Sequence, residues 1–329
     1  MKVLVTGATG FIGANVAREL LKQEFQVKAL VRKGCNLRNV EGLPLEMVEG
    51  DLRDKRSLRE ALLDCEALFH IAASYTFWTP NPQSIYDTNV RGTKNILTAA
   101  MEKDIKKVVY TSTESTIGIG KNDDFGTEAR EINPEHLKGH YKWSKFLAEK
   151  VALNMCRRGL PLVIVNPTAP VGPFDVKPTP TGGVLVSLLR GAMPVYLDMG
   201  LNIVSVEDVA KGHILALQKG QIGERYILGN QNLLLREIFD TLKKVVGVKA
   251  PRVRIPGWFA MGMAYIDDIL EGVIMNRPPR AQLDAVRAAR KVRFHDCSKA
   301  IRELGMPQTP IEEALGKAAN WFRDNGYVR

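Results

Sequence analysis

The chain has 329 residues, 45% of them hydrophobic and 25% charged, with a formal net charge of +10. That length supplies a large core with room for two lobes, and the ordinary composition excludes intrinsic disorder. The cationic excess favours anionic ligands such as phosphates or an acidic membrane surface, while the absence of any nucleic-acid motif speaks against DNA or RNA.

Val3, Leu4 and Val5 form a short apolar run that reads as a buried strand opening at residue 2 or 3. A start so early leaves no space for a signal peptide, so a cytoplasmic protein is expected. Gly7, Gly10 and Gly13 follow at three-residue spacing, and Ile12, Val16, Leu20 and Leu21 then recur at helical spacing. A tight strand-to-helix turn points backbone N–H groups and the positive helix end at one spot, where a pyrophosphate binds without a lysine. Glycine is needed there because a Cβ would hold the phosphates off the backbone. The turn therefore predicts dinucleotide binding by Gly7, Thr9, Gly10, Phe11, Ile12 and Gly13.

The next strand, 27–31, runs into Arg32-Lys33, where an NAD enzyme usually places a carboxylate on the adenosine ribose. A carboxylate repels a 2′-phosphate, whereas a guanidinium fork hydrogen-bonds it. NADP(H) is expected rather than NAD(H), with Arg32 as the 2′-phosphate ligand. Asp51 and Leu52 follow the third strand, 45–48, at a depth suited to adenine. Strands at 67–71, 108–111, 162–165 and 226–228 alternate with helical patterns at 57–63, 84–101 and 141–157. The expected fold is α/β, a Rossmann-type doubly wound parallel sheet with helices on both faces.

From Pro167 onward prolines and glycines break regular structure, and the chain beyond residue 233 reads as mostly helical. The predicted organisation is an NADP(H)-binding Rossmann domain at 1–166, to which 203–229 returns. Segments 167–202 and 230–329 then build a smaller, mostly helical C-terminal substrate lobe over the C-terminal edge of the sheet.

Tyr141 and Lys145 are spaced i, i+4, so the phenol and the ammonium share one helix face. A phenol of pKa about 10 is a poor base at neutral pH, and a lysine with an oxidised nicotinamide would stabilise its phenolate. Hydroxyl residues that could steady a substrate oxygen lie at the end of the preceding strand. Strand alternation does not choose there between Ser112 and Thr113.

Gly7/Gly10/Gly13, Asp51, residues 70–73 and 89–93, Thr113, Tyr141/Lys145 and residues 166–172 together resemble an extended short-chain dehydrogenase/reductase, of the NAD-dependent epimerase/dehydratase superfamily. The likeness runs on to residues 296–300 and 303–305. Segments 139–145, 177–182 and 223–229 make it similar to dihydroflavonol-4-reductase-like proteins and to the bacterial hopanoid-associated sugar epimerase group. Aligned on Gly118, Thr113 takes the family's catalytic Ser/Thr position. Tyr141 takes the acid/base position, and Lys145 that of the lysine that also holds the nicotinamide ribose. Ala72, Ala73, Ser74 and Pro167 flank the nicotinamide in the same resemblance, with Asn89 among the cofactor residues. Ala169 stands where nucleotide-sugar enzymes carry an asparagine for the substrate diphosphate, and Glu114-Ser115 replaces the Asp-Glu pair of sugar dehydratases.

The resemblance implies NADP(H)-dependent reduction of a ketone to an alcohol by Tyr141, Lys145 and Thr113. Epimerisation of a nucleotide- or lipid-linked sugar through a transient ketone uses the same residues. A non-catalytic NADP(H)-sensing protein is the reading from another class, and the full catalytic set argues against it. Ser74, Glu114 and Ala169 are candidate substrate neighbours, with Glu114 read first as a capping carboxylate and second as a proton-transfer group. A homodimer through helices 84–101 and 141–157 follows by resemblance.

Three features carry weaker signals. The apolar stretch from Trp258 to Ile274 is read as lobe packing, ahead of a greasy substrate entrance or peripheral lipid contact. Arg277, Arg280, Arg287, Arg290, Lys291 and Arg293 face only Asp284 and are read as a solvated helix face, ahead of an anionic-lipid site. His70, His140 and His213 lack ligand spacing, so no metal is expected. Cys35, Cys65, Cys156 and Cys297 stand apart, as in a reducing compartment. No apolar run reaches the ~20 residues of a membrane-spanning helix.

Overall fold

The computed structural model describes residues 1–120, 125–197, 199–251, 253–275, 277, 279, 283–289 and 292–328. Arg280, Arg290 and Lys291 of the basic run lie outside the described residues. Six strands open the chain: β1 (Lys2–Thr6), β2 (Gln26–Val31), β3 (Glu46–Glu49), β4 (Ala67–His70), β5 (Lys107–Thr111) and β6 (Leu162–Pro167). Six more follow: β7 (Ala169–Val171), β8 (Val195–Tyr196), β9 (Gly200–Ser205), β10 (Arg225–Leu228), β11 (Gln231–Leu234) and β12 (Val253–Arg254).

The main sheet has seven strands in the order β10-β6-β5-β4-β1-β2-β3, every neighbouring pair parallel. This is the expected doubly wound fold, and the chain reverses its direction of growth beside β1, where such sheets open a ligand crevice. Strand alternation sorts the core into two layers. Val3 and Val5 face α1 (Phe11–Lys22), whereas Leu4 and Leu68 face α2 (Lys55–Ala61) and its neighbours. Helix α3 (Gln83–Tyr86) passes through a wide π-helical turn, Asp87–Arg91, into α4 (Gly92–Glu102), with α5 (His140–Arg157) packed alongside. The wide turn buries Asn89 to 1% exposure, an insertion the helical period of 84–101 does not announce.

A third apolar cluster belongs to the smaller lobe. It joins α6 (Pro180–Leu189), α8 (Leu235–Val246) and α11 (Ile311–Asp324) through Leu185, Ile238, Phe239, Leu315 and Phe322. The lobe also holds a three-stranded sheet, β11-β9-β7, and the pair β12-β8. Sequence texture gives no hint of these strands because they are short and sit among prolines and glycines. Helix α7 (Val206–Lys219) leaves β9 and packs on α1. Within β9, Ile203 buries in the third cluster and Val204 in the Rossmann core, so the two lobes share this strand.

One expectation about the fold is overturned. Among the described side chains of α9 (Gly257–Asp267) and the π-helical segment after it (Asp268–Ile274), only Ala260 and Ala264 are buried. The apolar side chains of the stretch therefore face outward instead of supplying core. In the basic run, Arg277 stays solvent-exposed and Arg287 partly so while pairing with Glu271 and Asp284. Arg293 departs from the run and turns inward onto Glu114.

Candidate active site

Thr6, His70 and Tyr110 lie in register across β1, β4 and β5, so the loops after these strands emerge from one edge. The Thr6 hydroxyl accepts from the backbone N–H groups of Ile71 and Ala72, each at 3.2 Å, and bonds the His70 Nδ1 at 2.9 Å. The His70 Nε2 meets Thr93 at 3.0 Å. This chain clamps the start of the 71–74 loop onto the glycine turn. Gly7 has φ +75°, and a Cβ there would lie 2.8 Å from the Ala72 Cα; a Cβ on Gly13 would run into the Gly7 carbonyl. Gly10 caps α1 without a side chain, so the first-turn N–H groups have no side-chain acceptor. Thr9, Phe11 and Ile12 sit at the same helix mouth. A cradle that any Cβ would fill, at a helix N-terminus, suits a dinucleotide pyrophosphate.

One end of the crevice is a cavity of about 620 Å³ lined by Arg32, Lys33, Asp51, Arg53 and Ser57. Arg53 grips the Asp51 carboxylate at 2.9 and 2.7 Å and, with Arg32 nearby, holds its pKa low. Leu52 is buried and its carbonyl accepts from Asn95 at 2.9 Å. The cations Arg32, Lys33 and Arg53 share this lining with the carboxylates Glu49, Asp51 and Asp54.

The structure distinguishes the two hydroxyls that alternation left open. Ser112 is buried and donates to Glu149, which also receives Thr116 at 2.7 Å and Asn166 at 3.2 Å. Thr113 instead hydrogen-bonds the Tyr141 side chain, and it caps the 3₁₀ turn Glu114–Thr116 by accepting from the Ser115 N–H at 3.3 Å. Burial pushes the Tyr141 phenol up, the Glu114 carboxylate pushes the same way, and the Thr113 bond opposes them. Lys145 is 3% exposed; its Nζ donates to the Thr111 carbonyl at 2.8 Å and the Tyr110 hydroxyl at 3.3 Å. Burial lowers its pKa to about 8 against the pull of Glu149.

Asn89 receives the Ser74 N–H at 2.7 Å and donates to the Ser74 carbonyl at 3.1 Å and the Ser144 hydroxyl at 2.9 Å. Both its donors are engaged within the protein, so it fixes the 72–74 loop against α5. Ala73 is exposed on this loop, and Pro167 is buried where β6 ends beside β10. Ala169 packs against the small-lobe core. Glu114 is no cap: Thr113 has that role, and the Glu114 carboxylate pairs with Arg293 at 3.3 Å and His295 at 3.7 Å. Burial raises its pKa, but Arg293, His295 and Lys142 outweigh that and bring it down.

Sequence reasoning passed over three features of the site. Tyr75 packs on Tyr141 with ring centroids 4.6 Å apart and Phe77 meets it edge-on at 6.0 Å, an aromatic wall with no periodic signature. Thr6 looks like an ordinary strand terminus. Arg293 and His295 arrive from 179 and 181 positions beyond Glu114, which no local pattern reveals.

His70 and His213 are fully buried and neutral, the latter bonded to Thr111 at 2.9 Å and the Val209 carbonyl at 2.7 Å. Burial, with Lys145, lowers His70 to about 3, and burial lowers His213 to about 4 against the Val209 bond. Both take up protons on unfolding below pH ~6.5, so stability present above that pH falls by ~1.4 kcal/mol per pH unit for each. Asp175, raised to about 6 by burial against its Thr179 bonds, returns one proton's worth below pH 6. The net expectation is a urea midpoint that drops steadily from pH 6.5 to 5; a flat or rising midpoint would contradict it.

A model of the NAD dependent epimerase/dehydratase family matches residues 3–229. A Synechocystis protein named dihydroflavonol 4-reductase is 41% identical, the match covering 99% of this chain and 95% of that one. Sterol demethylase protein B of Methylococcus capsulatus is 33% identical over the whole of both chains. The crystal structure of a nucleoside-diphosphate-sugar epimerase from Pseudomonas aeruginosa superposes with a TM-score of 0.83 at 24% identity, covering 100% of this chain and 99% of that one.

Proposed function

The chain belongs to the NAD-dependent epimerase/dehydratase family, and from that premise we propose that it reduces a ketone to an alcohol with NADP(H). The observation that carries the reading is the hydrogen bond between the half-buried Tyr141 and Thr113, at the sheet edge where the glycine turn opens. Gly7, Gly10, Gly13 and the α1 mouth would hold the pyrophosphate, Arg32 the 2′-phosphate, and Lys145 the nicotinamide ribose. When bound, the cofactor supplies hydride chemistry at its nicotinamide carbon. Tyr141 gives the carbonyl oxygen its proton, Thr113 orients that oxygen, and Lys145 steadies the phenolate left behind.

Burial and Glu114 raise the Tyr141 pKa, which suits the proton donor that the reductive step of either reaction needs. Reduction is favoured over epimerisation by what surrounds the phenol. The wall of Tyr75 and Phe77 and the apolar Ala169 fit a substrate without a diphosphate anchor. The Synechocystis relative carries a reductase's name, dihydroflavonol 4-reductase. Trp143 and Phe146 stack on α5, half-buried, and support a homodimer through α4 and α5. A cytoplasmic location belongs to the same reading; among the described residues no helix is long and apolar enough to cross a membrane.

Stoichiometric NADPH oxidation with a ketone substrate tests the reaction; an epimerase would instead retain oxidised cofactor and regenerate it each cycle. Arg32→Ala tests the cofactor. Loss of a charge-assisted contact to phosphate should weaken NADPH ~10-fold and leave NADH unchanged. Equal weakening of both nucleotides in a fluorescence titration would remove Arg32 from 2′-phosphate recognition.

A further inference from the structure

From Gly257 to Ile274 the chain runs as one helical rod whose amphipathicity is inverted. Trp258, Tyr265 and Ile269 recur at i, i+7 and i+11, and beside them Phe259, Met263, Ile266, Leu270 and Ile274 form a second stripe. All eight are exposed, Trp258 to 73% and Ile274 to 67%. The carboxylates Asp267, Asp268 and Glu271 sit at half-buried positions on the other side. A helix on a water-facing surface has the reverse pattern, and singly scattered apolar residues do not explain a continuous face.

Charge accompanies the face. Residues 249–293 hold nine Lys/Arg against four Asp/Glu, half of the chain's net excess within 45 residues. The rod also adjoins the segment that carries the aromatic wall: a Cβ on Gly272 would lie 3.1 Å from the Trp78 indole nitrogen, and Trp78 follows Tyr75 and Phe77.

We propose that this face docks on an anionic lipid bilayer. The stripes enter the boundary between headgroups and acyl chains, with Trp258 at the N-terminal end, while the net positive charge of the segment favours anionic headgroups. A second copy fits less well, because a two-fold interface sets the same patch against itself and would bring two net-positive segments together. The rod lies on the membrane and does not cross it. The proposal is independent of the reaction assigned above.

The full-length protein should sediment with vesicles of phosphatidylglycerol mixed with phosphatidylcholine, and far less with phosphatidylcholine alone. Combined Trp258→Ser, Phe259→Ser and Ile266→Ser substitutions should lower the partition coefficient at least ~10-fold through lost apolar burial. Circular dichroism and thermal unfolding should stay unchanged, since all three side chains are already exposed. Wild-type protein left in the supernatant with anionic vesicles would overturn the proposal. So would equal binding to both vesicle types, or a triple variant that turns a dimer into a monomer while vesicle binding persists.

Discussion

Tyr141→Phe is expected to lose ~10²–10⁴-fold in kcat for NADPH-dependent ketone reduction while keeping its fold and its affinity for NADPH. The substitution deletes one oxygen. The ring that remains still packs on Tyr75 at 4.6 Å and Phe77 at 6.0 Å, so the aromatic wall keeps its shape. What disappears is the proton that Thr113 helps aim, together with a phenol that burial and Glu114 hold in its acid form. Nothing else described at this spot can replace it. Lys145 is engaged by Thr111 and Tyr110, and Glu114 is held as a carboxylate by Arg293. Turnover within tenfold of wild type would remove Tyr141 from the chemistry, whereas loss of NADPH binding alone would reassign the ring to cofactor placement.

Much of the fold could be read from residue order because its strands are short apolar runs bounded by glycines and turns. Continuous burial on both faces gives β1, β4 and β6 the same signature in sequence as in space. The glycine turn is equally local, since Gly7, Gly10 and Gly13 meet one another within seven residues. Tyr141 and Lys145 lie one helical turn apart on α5, a spacing just as local, although the Lys145 ammonium goes to Thr111 and Tyr110. What escaped notice depends on distant chain segments. Ser112 and Thr113 are told apart by Glu149, which takes the first and leaves the second to Tyr141. Glu114 finds its partners near residue 294, and the three-stranded sheet of the small lobe forms because β9 pairs with both β7 and β11. The rod beyond Gly257 misleads in the opposite direction. Its apolar content reads as core under the rule that such helices pack inward, yet its outward face stays bare.

Gly13→Ala and Gly10→Ala should part company, and their difference isolates the cofactor cradle from the fold. A Cβ on Gly13 collides with backbone, the carbonyl of Gly7 and the Ala8 nitrogen, and neither atom belongs to a side chain that can swing away. Relief requires opening the β1–α1 turn, which lies between two core layers. We expect Gly13→Ala to bind NADPH ~10²-fold or more weakly and also to unfold at lower denaturant, as overpacking costs of ~1–3 kcal/mol imply. A Cβ on Gly10 meets only the Gly7 oxygen, at 3.2 Å, and its φ of −86° suits any residue. The protein alone should tolerate that methyl with little change in its urea midpoint. The same methyl would stand at the mouth of α1, where a pyrophosphate must touch the backbone, so NADPH affinity should still fall steeply. Calorimetric titration and urea unfolding of both variants resolve the matter. A Gly10→Ala protein that binds NADPH like wild type would mean that the phosphates do not sit at this helix end, and the assignment of Tyr141 as proton donor would lose its geometric basis with it.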